Sequence, residues 1–161
     1  MEPFERQRGE YVLSSDKAKL DIGTIHRYLA GSSYWAKGRS LQTMAIGIEH
    51  SLCFGLYAAS GAQVGFARVV TDQATFAWIC DVFVLEPHRG KGLGKWLVQT
   101  IVGQLELMNP KRMVLATQDA HGLYSKYGGF EPLRNPERWM ERLRNPLDSG
   151  QSAERFPDEQ T

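Results

Sequence analysis

The run Arg89-Gly90-Lys91-Gly92-Leu93-Gly94-Lys95 interleaves glycines with cations and follows directly on an apolar stretch. Glycines let backbone amides approach an anion closely, and Arg89, Lys91 and Lys95 add formal positive charge. The preceding stretch, Trp78-Ile79-Cys80-Asp81-Val82-Phe83-Val84-Leu85, is rich in β-branched and aromatic residues and predicts a buried strand. Glu86-Pro87-His88 ends it, because proline has no amide hydrogen for a ladder. After the glycines, Leu93, Leu97, Ile101 and Leu105 recur four apart on one helix face. Strand, glycine turn and helix N-terminus together form a place to hold a phosphate. The P-loop pattern fails, since Gly94-Lys95 is followed by Trp96 and no glycine lies five before Gly94. The dinucleotide fingerprint fails too, because Gly90-Lys91-Gly92-Leu93-Gly94 is followed by Lys95. Arg-x-x-Gly-x-Gly (Arg89, Gly92, Gly94) is the pattern that remains.

Asp81 is the other chemical singularity, a carboxylate inside an otherwise apolar strand. Buried alone it would be costly, so it must face a cation, water or a substrate amine. Two readings stand: a group that binds or deprotonates an amine, or a structural ion pair with Arg68. Strict alternation puts Ile79, Asp81 and Phe83 on one face.

The elements that must position these residues can be read in order. Residues 1–10 are polar and predict a flexible N-terminus, and Tyr11–Ser14 predicts a short strand. Asp16–Ala30 leads through a loop into a short helix ending near Gly31. Ser40 can cap a second helix to about Glu49, with Leu41, Met44, Ala45 and Ile48 on one face. Leu52–Ala59 and Gln63–Thr71, joined by Ser60-Gly61-Ala62, predict a hairpin, and Thr75–Leu85 extends it to an antiparallel meander. The helix Gly92–Met108 leads to the strand Arg112–Thr117, which a crossover makes parallel to Thr75–Leu85. Asp119 is a candidate N-cap for a helix over Ala120–Tyr127, stopped by Gly128-Gly129. Phe130–Leu133 and Trp139–Leu143 are candidates for a last strand or two. Residues 144–161 predict a polar, flexible tail.

The chain has 161 residues, 42% apolar and 23% charged, with a net charge of +1, the profile of one soluble α/β domain over residues 11–143. The near-neutral balance argues against bulk nucleic-acid binding, and no run has the length for a membrane span. The N-terminus lacks the apolar core of a signal peptide. Cys53 and Cys80 are too few for a disulfide framework or a zinc site, and His26, His50 and His88 have no metal-ligand spacing, so no metal is expected. The expected location is the cytoplasm.

With Arg89, Gly92 and Gly94 on a strand-to-helix turn, and Ala120-x-x-Leu123-Tyr124-x-Lys126 beyond it, the chain resembles the GNAT superfamily of acetyl-CoA-dependent N-acetyltransferases. The resemblance runs from about Tyr11 to Leu143 and is densest from Gln63 to Phe130. It implies a mixed central sheet: an antiparallel meander, then two parallel strands splayed apart, with about four helices. Acetyl-CoA would then be the co-substrate, its pantetheine arm lying along exposed strand backbone in the splay. Val82, Phe83 and Val84 would line that arm, with the amide of Phe83 or Val84 polarising the thioester carbonyl. Arg89, Gly90, Lys91, Gly92, Leu93, Gly94 and Lys95 would hold the pyrophosphate. Tyr124 would be the general acid that protonates the departing sulfur, and Tyr127 a packing residue. Thr117 stands where many members have an asparagine that bonds the pantetheine. Gly128-Gly129 gives two glycines where the family has one.

The first two helices and their loop cover the acceptor side in that fold, which brings Tyr34, Trp35, Lys37 and Arg39 to the pocket, with Arg68 and Trp78 beside them. Aromatics with cations suit a planar or anionic small molecule. The expected acceptor is therefore a small-molecule primary amine, with a protein lysine or N-terminus as the alternative. His121 is a second acid–base candidate, expected to be a surface residue. A non-catalytic acyl-CoA-binding module and a plain nucleotide-binding domain are the rival classes, and a homodimer is left open.

Overall fold

The computed structural model describes Glu2–Arg144. Its first compact unit ends at Phe130. A six-stranded sheet runs β1 (Glu5–Arg8), β2 (Tyr11–Ser14), β3 (Leu52–Tyr57), β4 (Gln63–Thr71), β5 (Phe76–Val84) and β6 (Arg112–Leu115), in that spatial order. Every neighbouring pair is antiparallel except β5 and β6, which are parallel. The expected mixed sheet, meander and crossover are all present.

Two helices cover one face of the sheet. The N-caps of α1 (Ile22–Gly31) and α2 (Leu41–Glu49) are Asp21 and Ser40, whose side chains accept from the Thr24 and Thr43 amides. Ile25, Leu29, Met44 and Ile48 from these helices pack with Cys53, Phe66 and Phe83 of the sheet. On the opposite face lies α3 (Leu93–Met108). Its four-residue stripe, Leu93, Leu97, Ile101 and Leu105, is buried against Leu13, Phe54, Leu56, Val69 and Ile79. α4 (His121–Gly128) follows β6 and packs on α3.

Several expectations need correction. The polar N-terminus is not frayed throughout: Glu5–Arg8 pairs with β2 as an edge strand, every residue of it exposed. Glu5 also meets Lys19 in an ion pair. Asp119 does not cap α4; the N-cap is Ala120, whose amide donates to the Thr117 hydroxyl at 3.1 Å. The doubled glycine divides two tasks. Gly129 takes the left-handed cap at φ +70°, while a Cβ on Gly128 would stand 2.9 Å from the Phe130 ring. No strand forms at Phe130–Leu133 or Trp139–Leu143 among the described residues. Glu131–Arg144, the described part of the second unit, holds one 3₁₀ turn, Pro136–Arg138. The tail expected over 144–161 lies, beyond Arg144, outside the described residues.

Candidate active site

β5 creates the site by changing course at Asp81. Phe66 pairs with Phe83 and Arg68 with Cys80, so Asp81 and Val82 together oppose Ala67 alone. This is a β-bulge, and Asp81 takes φ +53° within it. A left-handed backbone costs an L-residue about 1–2 kcal/mol, least for Asn and Asp. The bulge resets the side-chain phase. Ile79 joins the α3 side of the core, whereas Phe83 joins the α1–α2 side and Asp81 turns toward Arg68.

The parallel pairing to β6 stops at Ile79 and Leu115, so the edge of β5 beyond it is open. Leu85 donates its amide to Val64 at 2.8 Å. Alternation along β5 then turns the Phe83 amide toward β4 and the Val84 amide toward the open edge. Of the two candidate carbonyl-polarising amides, only Val84's faces the gap. The Phe83 side chain is buried, and the Tyr28 ring stacks on it at 4.0 Å between centroids.

The glycine turn closes one end of this gap. Gly92 is the N-cap of α3 at φ +76°, no side chain caps the helix, and its first turn carries no acidic residue. Leading amides, a positive dipole end and nearby cations are thus left facing the groove. The loop fits a pyrophosphate. A Cβ on Gly90 or Gly94 would meet nothing within 4 Å, so this open cradle is not filled by protein. Arg89 does more than bear charge: its guanidinium donates to the Val84 carbonyl at 2.8 Å and to the Tyr28 hydroxyl at 3.0 Å, tying loop to strand. Lys91 turns aside to the Tyr11 hydroxyl at 3.2 Å and does not line the groove, and Lys95 sits over the Tyr127 ring.

Two cavities meet in the gap. The larger, about 1010 Å³, is lined by Val82, Phe83 and Val84 and by the loop from Arg89 to Lys95 except Lys91. The smaller, about 450 Å³, is lined by Tyr34, Trp35, Arg39, Arg68 and Trp78, with Asp81 and Thr117. Both are lined by Tyr34, Trp35, Val82, Asp119, Ala120 and Tyr124. Thr117 therefore lies on the smaller cavity and not along the larger groove, and its hydroxyl already accepts from Ala120.

At the wall of the smaller cavity Asp81 is enclosed by donors. Oδ2 accepts from Arg39 at 2.7 Å and from Arg68 at 2.8 Å, and Oδ1 accepts from the Trp35 indole at 3.1 Å. Burial disfavours its charge, but the hydrogen bonds from Arg39 and Arg68 outweigh that and hold the carboxyl below its ordinary value. A carboxylate so held is a poor proton acceptor at neutral pH. The expected catalytic role for Asp81 gives way to the ion-pair alternative, with Arg39 as a partner that sequence spacing did not indicate. Arg68 also donates to Ser51, and its guanidinium lies over Gly47, where a Cβ would stand 3.4 Å away.

Tyr124 is buried, and burial above all pushes its hydroxyl up to about 12, with Tyr34 and Asp119 adding to the shift. Its hydroxyl has no hydrogen-bond partner among the described residues. Cys80 also lines the smaller cavity, but burial pushes its thiol up to about 11, which leaves it protonated and weakly nucleophilic. His121 is exposed and lines neither cavity.

Three participants escaped sequence reading. Tyr28 and Arg8 reach the loop from 61 and 84 residues away, Arg8 donating to the Gly92 carbonyl at 3.0 Å. Asp119 carries a signal for a helix cap and instead faces both cavities.

The profile of the acetyltransferase (GNAT) family matches residues 22–130. A Gibberella zeae protein, provisionally named an acetyltransferase, is 29% identical over 151 residues, covering 82% of this chain and 85% of that one. A crystal structure from Xanthomonas campestris pv. campestris, of a protein provisionally assigned to the GNAT acetyltransferases, is 47% identical. It covers 86% of this chain and 96% of that one, with a TM-score of 0.79. A GNAT acetyltransferase from Elizabethkingia anophelis, solved with acetyl-CoA bound, shares the fold at 15% identity and TM-score 0.57, covering 74% and 76% of the two chains. The chain belongs to the GNAT family of acetyltransferases, and is thus an acyltransferase dependent on acetyl-CoA.

Proposed function

We propose that the protein acetylates the primary amine of a small molecule by direct transfer, with coenzyme and acceptor bound together. The observation that carries this reading is the Tyr124 hydroxyl, without a hydrogen-bond partner among the described residues, at the junction of two cavities. The larger cavity suits an extended ligand with a pyrophosphate at the Arg89–Lys95 end. The smaller has the volume of a small-molecule pocket and aromatic walls.

Bound acetyl-CoA supplies an acetyl thioester. The Val84 amide, facing the open edge of β5, stabilises charge on the carbonyl oxygen as the acceptor nitrogen bonds to its carbon. Tyr124, protonated at neutral pH, gives its proton to the sulfur as the carbon–sulfur bond breaks. The acceptor attacks as the neutral amine, its ammonium having first given one proton to water, and after the carbon–sulfur bond breaks the Tyr124 phenolate recovers a proton from the acylated nitrogen. Cys80, protonated and only half-buried, gives no support to an acyl-cysteine route. Asp81 acts through Trp35, Arg39 and Arg68, setting the acceptor wall. The setting we propose is the cytoplasm, where Cys53 and Cys80 stay reduced.

Release of free thiol from acetyl-CoA in the presence of a panel of amines tests this reading. Tyr124→Phe is expected to lower kcat by roughly 10²- to 10⁴-fold with affinity for the coenzyme retained. An unchanged rate would remove Tyr124 from the chemistry.

A further inference from the structure

The smaller cavity carries charge of both signs at separate places. Asp81 is a single carboxylate between two guanidiniums, so the Arg39–Asp81–Arg68 cluster keeps one formal positive charge. No second carboxylate pairs with Arg39 or Arg68 among the described residues, and both side chains are largely removed from solvent, at 24% and 14% exposure. A partly buried excess guanidinium calls for an anion. At the junction with the larger cavity the sign reverses. Asp119 is exposed and has no hydrogen bond or ion pair among the described residues. It lines both cavities beside Tyr124 and lies close enough to raise the tyrosine's proton affinity. Trp78 and Tyr34, each about half exposed, supply apolar wall in the smaller cavity.

Resting on the acetyl-transfer reading above, we infer that the acceptor is a zwitterion: a primary amine that carries a carboxylate and an apolar or aromatic side group. Its carboxylate meets Arg39 and Arg68, its ammonium meets Asp119 next to the transfer point, and its side group lies on Trp78 and Tyr34. The arrangement discriminates against polyamines and simple alkylamines. A second ammonium would be repelled by the guanidinium pair, and an amine without an anion would leave that charge unpaired.

Matched pairs test the inference: phenylalanine against 2-phenylethylamine, tryptophan against tryptamine, leucine against isoamylamine. Each is assayed by thiol release and, separately, by calorimetric binding to the CoA-saturated protein. The expected result is that at least one carboxylated member exceeds its partner about tenfold or more in kcat/KM, the weight of one charge-assisted hydrogen bond. Arg39→Gln should collapse that ratio, chiefly through KM, and Asp119→Asn should weaken binding of both members of each pair. Decarboxylated amines that match or exceed the amino acids, or a preference that survives Arg39→Gln, would overturn it. Arg39-dependent binding of the amino acid without thiol release would uphold the site and overturn acetyl transfer instead. Neither binding nor turnover of any carboxylated member would overturn the inference.

Discussion

The Tyr34 hydroxyl accepts a hydrogen bond from the Gln118 backbone amide at 2.8 Å, across 84 residues of chain. It joins the loop between α1 and α2 to the segment after β6, on opposite sides of the gap in the sheet. Trp35, the next residue, reaches Asp81 from the same loop, and the Tyr34 and Trp35 rings meet edge-on. The wall of the smaller cavity is therefore strapped at both ends.

Tyr34→Phe removes the strap and little else. Because Tyr34 is half exposed, the expected loss of stability is small, about 0.5 kcal/mol. The larger effect expected is a several-fold rise in KM for the acceptor, read in steady-state kinetics. Wild-type kinetics would show that the loop holds its position without this bond.

Asp81→Asn keeps a side chain that tolerates φ +53° but removes the charge between two guanidiniums. Breaking a buried pair on one side costs about 3–5 kcal/mol, and the partial exposure of Arg39 puts this case at the lower end. Urea denaturation measures it. A variant as stable as wild type but inactive would return Asp81 to the chemistry.

The pH dependence follows from the same cluster. Hydrogen bonds from Arg39 and Arg68 overcome the burial cost and depress the Asp81 pKa on folding. The stability linked to this group is then complete above the ordinary carboxylate value, about 4, and is lost as pH falls through the lower folded-state value. The Trp35 emission, taken as the difference between wild type and Trp35→Phe, should stay constant from neutrality to about pH 4.5 and change only below that. A transition near pH 6 would mean that Asp81 exchanges a proton in the working range.

Local pattern made much of the fold legible. The four-residue leucine stripe of α3, the Ser40 cap and the β3–β4–β5 meander are short-range signals, and each element formed where its pattern lay. β1 escaped because Glu-Arg-Gln-Arg has no apolar alternation; it is held by backbone bonds at a sheet edge. The glycine turn was legible because backbone shape demands glycine there. Partners such as Arg39 for Asp81, or Tyr28 and Arg8 for the loop, depend on tertiary proximity that spacing along the chain does not encode. The bulge at Asp81 had no residue signal either, since neither glycine nor proline marks it.

We propose that acetyl-CoA lies along the open edge of β5 with its pyrophosphate at the turn at Gly92. Thermal unfolding of the full chain, alone and with acetyl-CoA, ATP or NAD, tests it most directly. A ligand at a hundred times its Kd stabilises by about 2.7 kcal/mol, a shift of several degrees. That shift is expected with acetyl-CoA and none with ATP or NAD. Loss of the shift is expected in Gly94→Asp, whose Cβ position is open and whose carboxylate would stand in the cradle. No shift with acetyl-CoA, or an equal one in Gly94→Asp, would contradict it.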